Sequence, residues 1–177
     1  KLGVDYYDKE LVKQIASASG FAPAYVEEHS DYAQGRSAFS YGLFQSGGSG
    51  LLSAEDYLWC VQRGVILDLA EKAPCVIVGR CADYILKDQP NTYSFFIYAD
   101  DDYRLARAKT HYAGHTIKEL DAEDKHREQY YAYYTGRTWG DPQNYDLMIN
   151  TSKISLEAAA DLIISYIELR QKKAANA

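Results

Sequence analysis

Two short stretches carry residues whose types and spacing could do chemistry. In CVIVGRCADYIL (residues 75–86), an apolar run from Cys75 to Val78 leads straight into Gly79 and Arg80, with Asp83 close behind. A strand that only packs has no use for a guanidinium at its tip, whereas a fork of N–H donors matches the oxygens of a phosphate. The plainer alternative is a salt bridge from Arg80 to a neighbouring helix. The second stretch is DKHREQYYAYYTGRTWGDPQNYDLMINTS (residues 124–152). Asp124 and Arg127 are three apart and share a face if the segment is helical. Lys125, Arg127 and Arg137 concentrate positive charge in an otherwise acidic chain. They lead into TGRTWGDP, a loop ahead of a strand. Such a segment suits a basic flap that closes over phosphates; an ordinary solvated charged helix is the alternative.

These residues must be positioned by the elements around them. Leu2 to Tyr7 read as the end of a helix, a Gly turn and a short strand. Asp8 is a plausible N-cap for a helix over KELVKQIASASG, with Gly20 as its stop. Pro23 suits the first turn of a helix continuing through AYVEEHSDYA. Residues 34–50 are a Gly/Ser-rich connection. Ser53 opens a strong helix, with Asp56 at capping-box spacing. Leu58, Val61, Val65 and Leu69 form its apolar stripe. Pro74 ends it, and CVIVG follows as a strand buried on both faces of a parallel sheet. A short helix around 82–87, a turn at Pro90-Asn91 and a strand over Tyr93 to Tyr98 come next. Helices begin at Asp100 to Asp102 and span Ile117 to Tyr134. Tyr145 to Asn150 form another strand, and Ser155 opens the last helix, whose apolar face is read as core rather than dimer interface. Strands alternating with helices predict an α/β parallel sheet with helices on both faces, and ligands then bind outside the carboxyl ends of its strands.

Composition bounds the function. The 177 residues suffice for one domain. A net charge of −6 argues against broad nucleic-acid binding. The three cysteines show no CxxC or Cys/His metal spacing, which fits a reducing, cytoplasmic setting. No apolar run reaches the length of a membrane helix. Seventeen tyrosines outnumber five phenylalanines, many in pairs (Tyr6-Tyr7, Tyr130-Tyr131, Tyr133-Tyr134). They read either as amphipathic rings at half-buried positions or as a Tyr-rich ligand or partner surface.

CVIVGRCADYIL, DKHREQYYAYYTGRTWGDPQNYDLMINTSKIS and the opening LGVDYYDKELV together resemble the cytidylate kinase-like family of bacterial P-loop proteins, over nearly the whole chain and in the family's order. The family is similar to bacterial CMP kinases, which move the γ-phosphoryl of ATP to CMP or dCMP. The resemblance implies a P-loop three-layer sandwich with a five-strand parallel sheet, a monophosphate-binding region at about 8–73, a small helical lid at about 115–140, and ATP and Mg²⁺ as co-substrate and metal. It matches Gly79-Arg80 to the Gly-Arg of a Gly-Arg-Asp motif, with Arg80 on the acceptor phosphate. The Asp of that motif is Cys81 here, and Asp83 is its nearest substitute. Asp124 and Arg127 match an Asp-x-x-Arg pair of the lid, whose Arg neutralises transferring charge. An earlier lid Arg falls on Leu120, so Arg137 or Lys125 would have to replace it. Asp8 matches an Asp near the substrate entrance.

A P-loop kinase also needs a Gly-rich turn whose N–H groups and Lys cradle the ATP phosphates. The pattern GxxxxGK followed by Ser or Thr does not occur. Ser46 to Gly50 (SGGSG) lacks the Lys and reads as a plain loop. The resemblance places the P-loop directly before Lys1, with Lys1-Leu2 as the last turn of its helix. The expectation is therefore a fragment whose sheet has an interior gap. Two other readings stay open: a non-catalytic nucleotide-binding or regulatory module on the same fold, and a kinase for another small molecule.

Overall fold

The computed structural model describes residues 1–29, 53–111 and 114–175. Its elements run β1 (Asp5–Tyr7), α1 (Lys9–Ser19), α2 (Pro23–His29), α3 (Ala54–Lys72), β2 (Cys75–Ile77), α4 (Ala82–Ile85), β3 (Phe95–Tyr98), α5 (Asp101–His111), α6 (Ile117–Thr135), a 3₁₀ turn (Pro142–Asn144), β4 (Leu147–Asn150) and α7 (Leu156–Ala175). The Gly/Ser-rich stretch at 34–50 and the continuation of α2 beyond His29 lie outside the described residues.

Local chemistry explains most boundaries. Gly20 ends α1 in the left-handed region at φ 77°, and its N–H donates to Ala16 O. The Ser53 hydroxyl accepts from Asp56 N at 3.0 Å and starts α3. α6 opens with a full capping box: Thr116 Oγ1 accepts from Glu119 N, and the Glu119 carboxylate accepts from Thr116 N at 2.7 Å. Asp8 precedes α1 as expected, yet its side chain makes no capping bond. Lys1 to Val4 have no regular structure, against the expected helical turn. Instead Lys1 Nζ reaches Asp161 on α7 at 2.6 Å.

The strands form two parallel pairs, not one continuous sheet. β1 pairs β2 with Tyr6 opposite Val76, and β3 pairs β4 with Phe96 opposite Met148. β2 is not buried on both faces, because the helices cover only one. Tyr7 and Ile77 pack onto the main core, while Val76 and Val78 are 41% and 49% exposed. At the end of β3 the adjacent Ile97 and Tyr98, which point to opposite faces, are also exposed.

The core gathers Leu11 and Ile15 of α1, Val26 of α2, Leu58, Ile66 and Leu69 of α3, and Ile85 and Leu86 around α4. Each large apolar side chain taken out of water here contributes about 1.5–3 kcal/mol. The buried line of α3 is Leu58, Gln62, Ile66 and Leu69; Val61 and Val65 are only half-buried flanks of it. α3 packs between α1 and α4 and turns Gln62 inward. A second cluster joins Cys81, Tyr130 and Tyr131, with Trp59, Tyr84, Tyr134 and Trp139 around them. It sorts the tyrosine pairs: Tyr130 and Tyr131 are core, while Tyr133 and Tyr6 are 51% and 65% exposed.

Candidate functional site

β2 ends in a turn with unusual backbone geometry. Gly79, Arg80 and Cys81 have φ of 70°, 58° and 54°, three consecutive residues in the left-handed region. For a residue with a Cβ this conformation costs about 1–2 kcal/mol. Such strain persists where surrounding structure over-determines it, and it gathers at functional sites. Val78 N donates to Tyr7 O, Ala82 N to Gly79 O, and Gln62 Nε2 to Arg80 O at 3.2 Å. These bonds fix the turn, and Arg80 leaves the carboxyl end of β2, where parallel strands present ligand-binding groups. Asp8, exposed and just beyond β1, lies at the same end of this pair.

Sequence reasoning missed Gln62. It is fully buried, and its amide also reaches the Tyr130 hydroxyl at 3.3 Å. The available signal was one polar residue four positions after Leu58 on an otherwise apolar helix face. Cys81 turns into the aromatic cluster at 6% exposure, so its thiol packs. Among the described residues, no group of three His, Cys, Asp or Glu side chains is arranged to hold a metal ion.

Asp83 sits one turn beyond Arg80 and accepts the Tyr131 hydroxyl at 2.6 Å. Burial raises the Asp83 carboxyl above its usual value, and the Tyr131 hydrogen bond opposes that rise. Burial and the Asp83 carboxylate hold the phenol of Tyr131 well above its ordinary value, and Tyr145 is raised by the same two causes. Arg137 lies 5.2 Å from the centre of the Tyr84 ring and lines one cavity with Asp83. Asp83 and Arg137, predicted for acceptor and lid, therefore stand together.

Asp124 and Arg127 occupy the first half of α6. Arg127 donates to Asp124 at 2.7 Å and to Glu123 at 3.3 Å. Asp124 also accepts from Arg104 of α5 at 2.5 Å, and Arg104 reaches Asp121 at 2.9 Å and Asp101 at 3.2 Å. Arg104 N donates to Asp100 O, which keeps Arg104 in the turn that leaves the carboxyl end of β3. Sequence reasoning missed Arg104; its signal was an Arg in the first turn after a predicted strand. With Leu120 apolar on α6, a second cation beside Asp124, besides Arg127, comes from α5. Lys125 is exposed, one residue round the helix from Asp124. Seven residues along α6 from Asp124, a rise of about 10 Å, Tyr131 meets Asp83. One helix thus ties the Asp124–Arg127 pair to the segment that carries Arg80.

Arg80 is presented by a fixed backbone, and Arg127 and Arg104 are presented by two helices that share a carboxylate. No helix of the described residues is long and apolar enough to cross a membrane. No curated protein matches the chain. A crystal structure of an uncharacterized protein from Eubacterium ventriosum ATCC 27560 is similar to it, with 36% identity, a TM-score of 0.59, and coverage of 65% of this chain and 74% of that one. The profile of the cytidylate kinase-like family matches residues 1–153, a span that includes both arginine groups, Asp8 and the aromatic cluster: the chain belongs to the cytidylate kinase-like family.

Proposed function

We propose that the protein takes part in ATP-dependent phosphoryl transfer to a nucleoside monophosphate, CMP or dCMP, on a P-loop-type three-layer sandwich. The left-handed Gly79-Arg80 turn at the carboxyl end of a parallel strand, inside a family match that spans it, is the observation that carries this reading. Arg80 binds the acceptor phosphate and Asp8 borders the acceptor's entrance. Asp124 orients Arg127, which neutralises charge on the transferring group. Gln62 keeps the Arg80 turn in place, and Asp83 positions α6 through Tyr131. The residues described fit the acceptor phosphate. They contain no run of the GxxxxGK type for a triphosphate and no carboxylate cluster for Mg²⁺, so the roles of these side chains concern the acceptor and the transferring group alone.

One observation favours a second reading, a nucleotide-binding module without turnover. Arg127 already spans Asp124 and Glu123, and an incoming phosphate must compete with both. A coupled assay with ATP–Mg²⁺ and CMP, UMP or AMP separates the two. The kinase reading expects turnover with a preference for CMP. Saturable CMP binding with no turnover supports the module, and turnover with an unrelated acceptor alone supports a different small-molecule kinase.

A further inference from the structure

Arg127 is held by two carboxylates of its own helix, and the two are not equivalent. Asp124 and Glu123 stand three and four residues before it on α6, the spacings at which helical side chains meet. Asp124 Oδ1 accepts from Arg127 at 2.7 Å, the length of a charge-assisted bond, and Asp124 Oδ2 accepts from Arg104 of α5. Asp124 is therefore tied to two helices at once. Glu123 Oε2 accepts from the other terminal nitrogen of Arg127 at 3.3 Å, a longer and weaker contact. Among the described residues, the charged side chains paired with Glu123 are Arg127 and His115. The Arg127 and Glu123 side chains are 42% and 31% exposed, and ion pairs of that kind are weak. Of the two carboxylates, Glu123 is the one that can yield.

The second oxygen of Glu123 faces His115, the residue before the Thr116 cap of α6. His115 Nδ1 lies 3.3 Å from Glu123 Oε1, is closed off from solvent, and makes no hydrogen bond with a described residue. The side chain as a whole is 38% exposed, so the ring can exchange protons with water. A ring nitrogen so placed becomes a donor to Glu123 once the imidazole is protonated. Histidine is the side chain whose charge ordinarily changes between about pH 5 and 8. The described charged groups that face His115 are Glu123 and Glu119, both on α6. The charges of α5 are engaged elsewhere on α6, where Arg104 takes Asp121 and Asp124.

We propose that Glu123 is the resting partner of Arg127, that an arriving phosphate group displaces it, and that His115 receives the displaced carboxylate. Glu123 and His115 are positioning residues: Asp124 keeps one terminal nitrogen of Arg127 and its orientation, and Glu123 gives up the other. A proton on His115 draws Glu123 away and favours the released state. The proposal rests on the reading that Arg127 meets a phosphate group.

Sulfate is the probe, because its charge is constant across the range in which histidine titrates. It is titrated at constant ionic strength into isotope-labelled protein at several pH values. The Arg127 Nε–H resonance, assigned by its loss in Arg127→Gln, is followed. The expected result is saturable binding to the wild type that weakens as pH rises through the histidine range. At the upper end of that range Glu123→Gln binds about two- to fivefold more tightly, the scale of one exposed ion pair, and it loses most of the pH dependence. His115→Gln keeps the weaker, high-pH affinity of the wild type at every pH. Glu128→Gln, which removes an exposed carboxylate from the same helix, gains less than Glu123→Gln. Wild-type binding at Arg127 with unchanged affinity in Glu123→Gln, an equal gain in Glu128→Gln, or a pH dependence that persists in His115→Gln overturns the proposal and leaves the phosphate reading of Arg127 standing. No sulfate response at Arg127 in the wild type or any variant overturns both.

Discussion

Tyr131→Phe removes one hydroxyl and tests how α6 is held to the Arg80 segment. Tyr131 is 3% exposed, and its hydroxyl donates to Asp83 at 2.6 Å. The substitution leaves the ring packing in place, while Asp83 keeps only its backbone donors at Asp83 and Tyr84. A hydrogen bond to a charged acceptor contributes about 1.5–3 kcal/mol, and one to a neutral acceptor about 0.5–1.5 kcal/mol. The expected loss is therefore about 2 kcal/mol where Asp83 is ionised and about 1 kcal/mol where it is protonated. Burial raises the Asp83 pKa, so the native state binds this proton more tightly than the unfolded chain does. Its contribution to stability is present at low pH and declines as pH rises from the ordinary carboxylate range through the raised value. The Tyr131 bond holds that value down, so Tyr131→Phe pushes it higher and deepens the decline. Urea unfolding of both proteins across this range measures the difference directly. The gap between them should widen with pH, to a midpoint shift of about 4–8 °C near neutrality in thermal scans. A gap under about 0.5 kcal/mol, or one that does not change with pH, refutes the assignment of Asp83 and Tyr131 as a buried, pH-sensitive tie.

Three further substitutions probe the same frame. Gly79→Ala meets no atom within 4 Å, so its cost comes from the backbone at φ 70° alone: about 1–2 kcal/mol by thermal unfolding, with weaker acceptor binding; unchanged stability means that the turn is not fixed. Gln62→Leu keeps volume but removes the amide that donates to Arg80 O, at about 1–3 kcal/mol, and amide exchange at Gly79 to Ala82 should quicken before exchange elsewhere does. Arg104→Ala cuts the link between α5 and α6; for a partly exposed network the stability loss is about 1 kcal/mol and shrinks with added salt, whereas a salt-independent loss points to packing instead.

Much of this architecture was legible in the sequence. Ser53, Gly20 and Pro74 act through the chain next to them, so α1, α3 and the start of β2 could be placed from local chemistry. The 3.6-residue period placed α3 but missed its rotation, because Gln62 faces inward to serve a carbonyl eighteen residues later. The apolar run of β2 read as doubly buried, yet which faces the helices cover is decided by elements far away in sequence. The site divided in the same way. The position of Arg80 just past a strand could be read because a charge at a strand tip breaks a local pattern. Arg104 and the Asp83–Tyr131 bond could not, since each depends on two helices meeting. The tyrosine excess resolved only in part, Tyr130 and Tyr131 into the core and Tyr133 onto the surface.

The most direct test of the central claim is phosphoryl transfer from ATP–Mg²⁺ to CMP, measured for the wild type and for Arg127→Ala alongside CMP binding by calorimetry. Wild-type turnover, with a fall of about 10³-fold in Arg127→Ala and CMP affinity changed only a few-fold, is the predicted result. Turnover that survives Arg127→Ala removes that residue from the mechanism. Wild-type protein that binds CMP without transferring phosphoryl contradicts the kinase account itself.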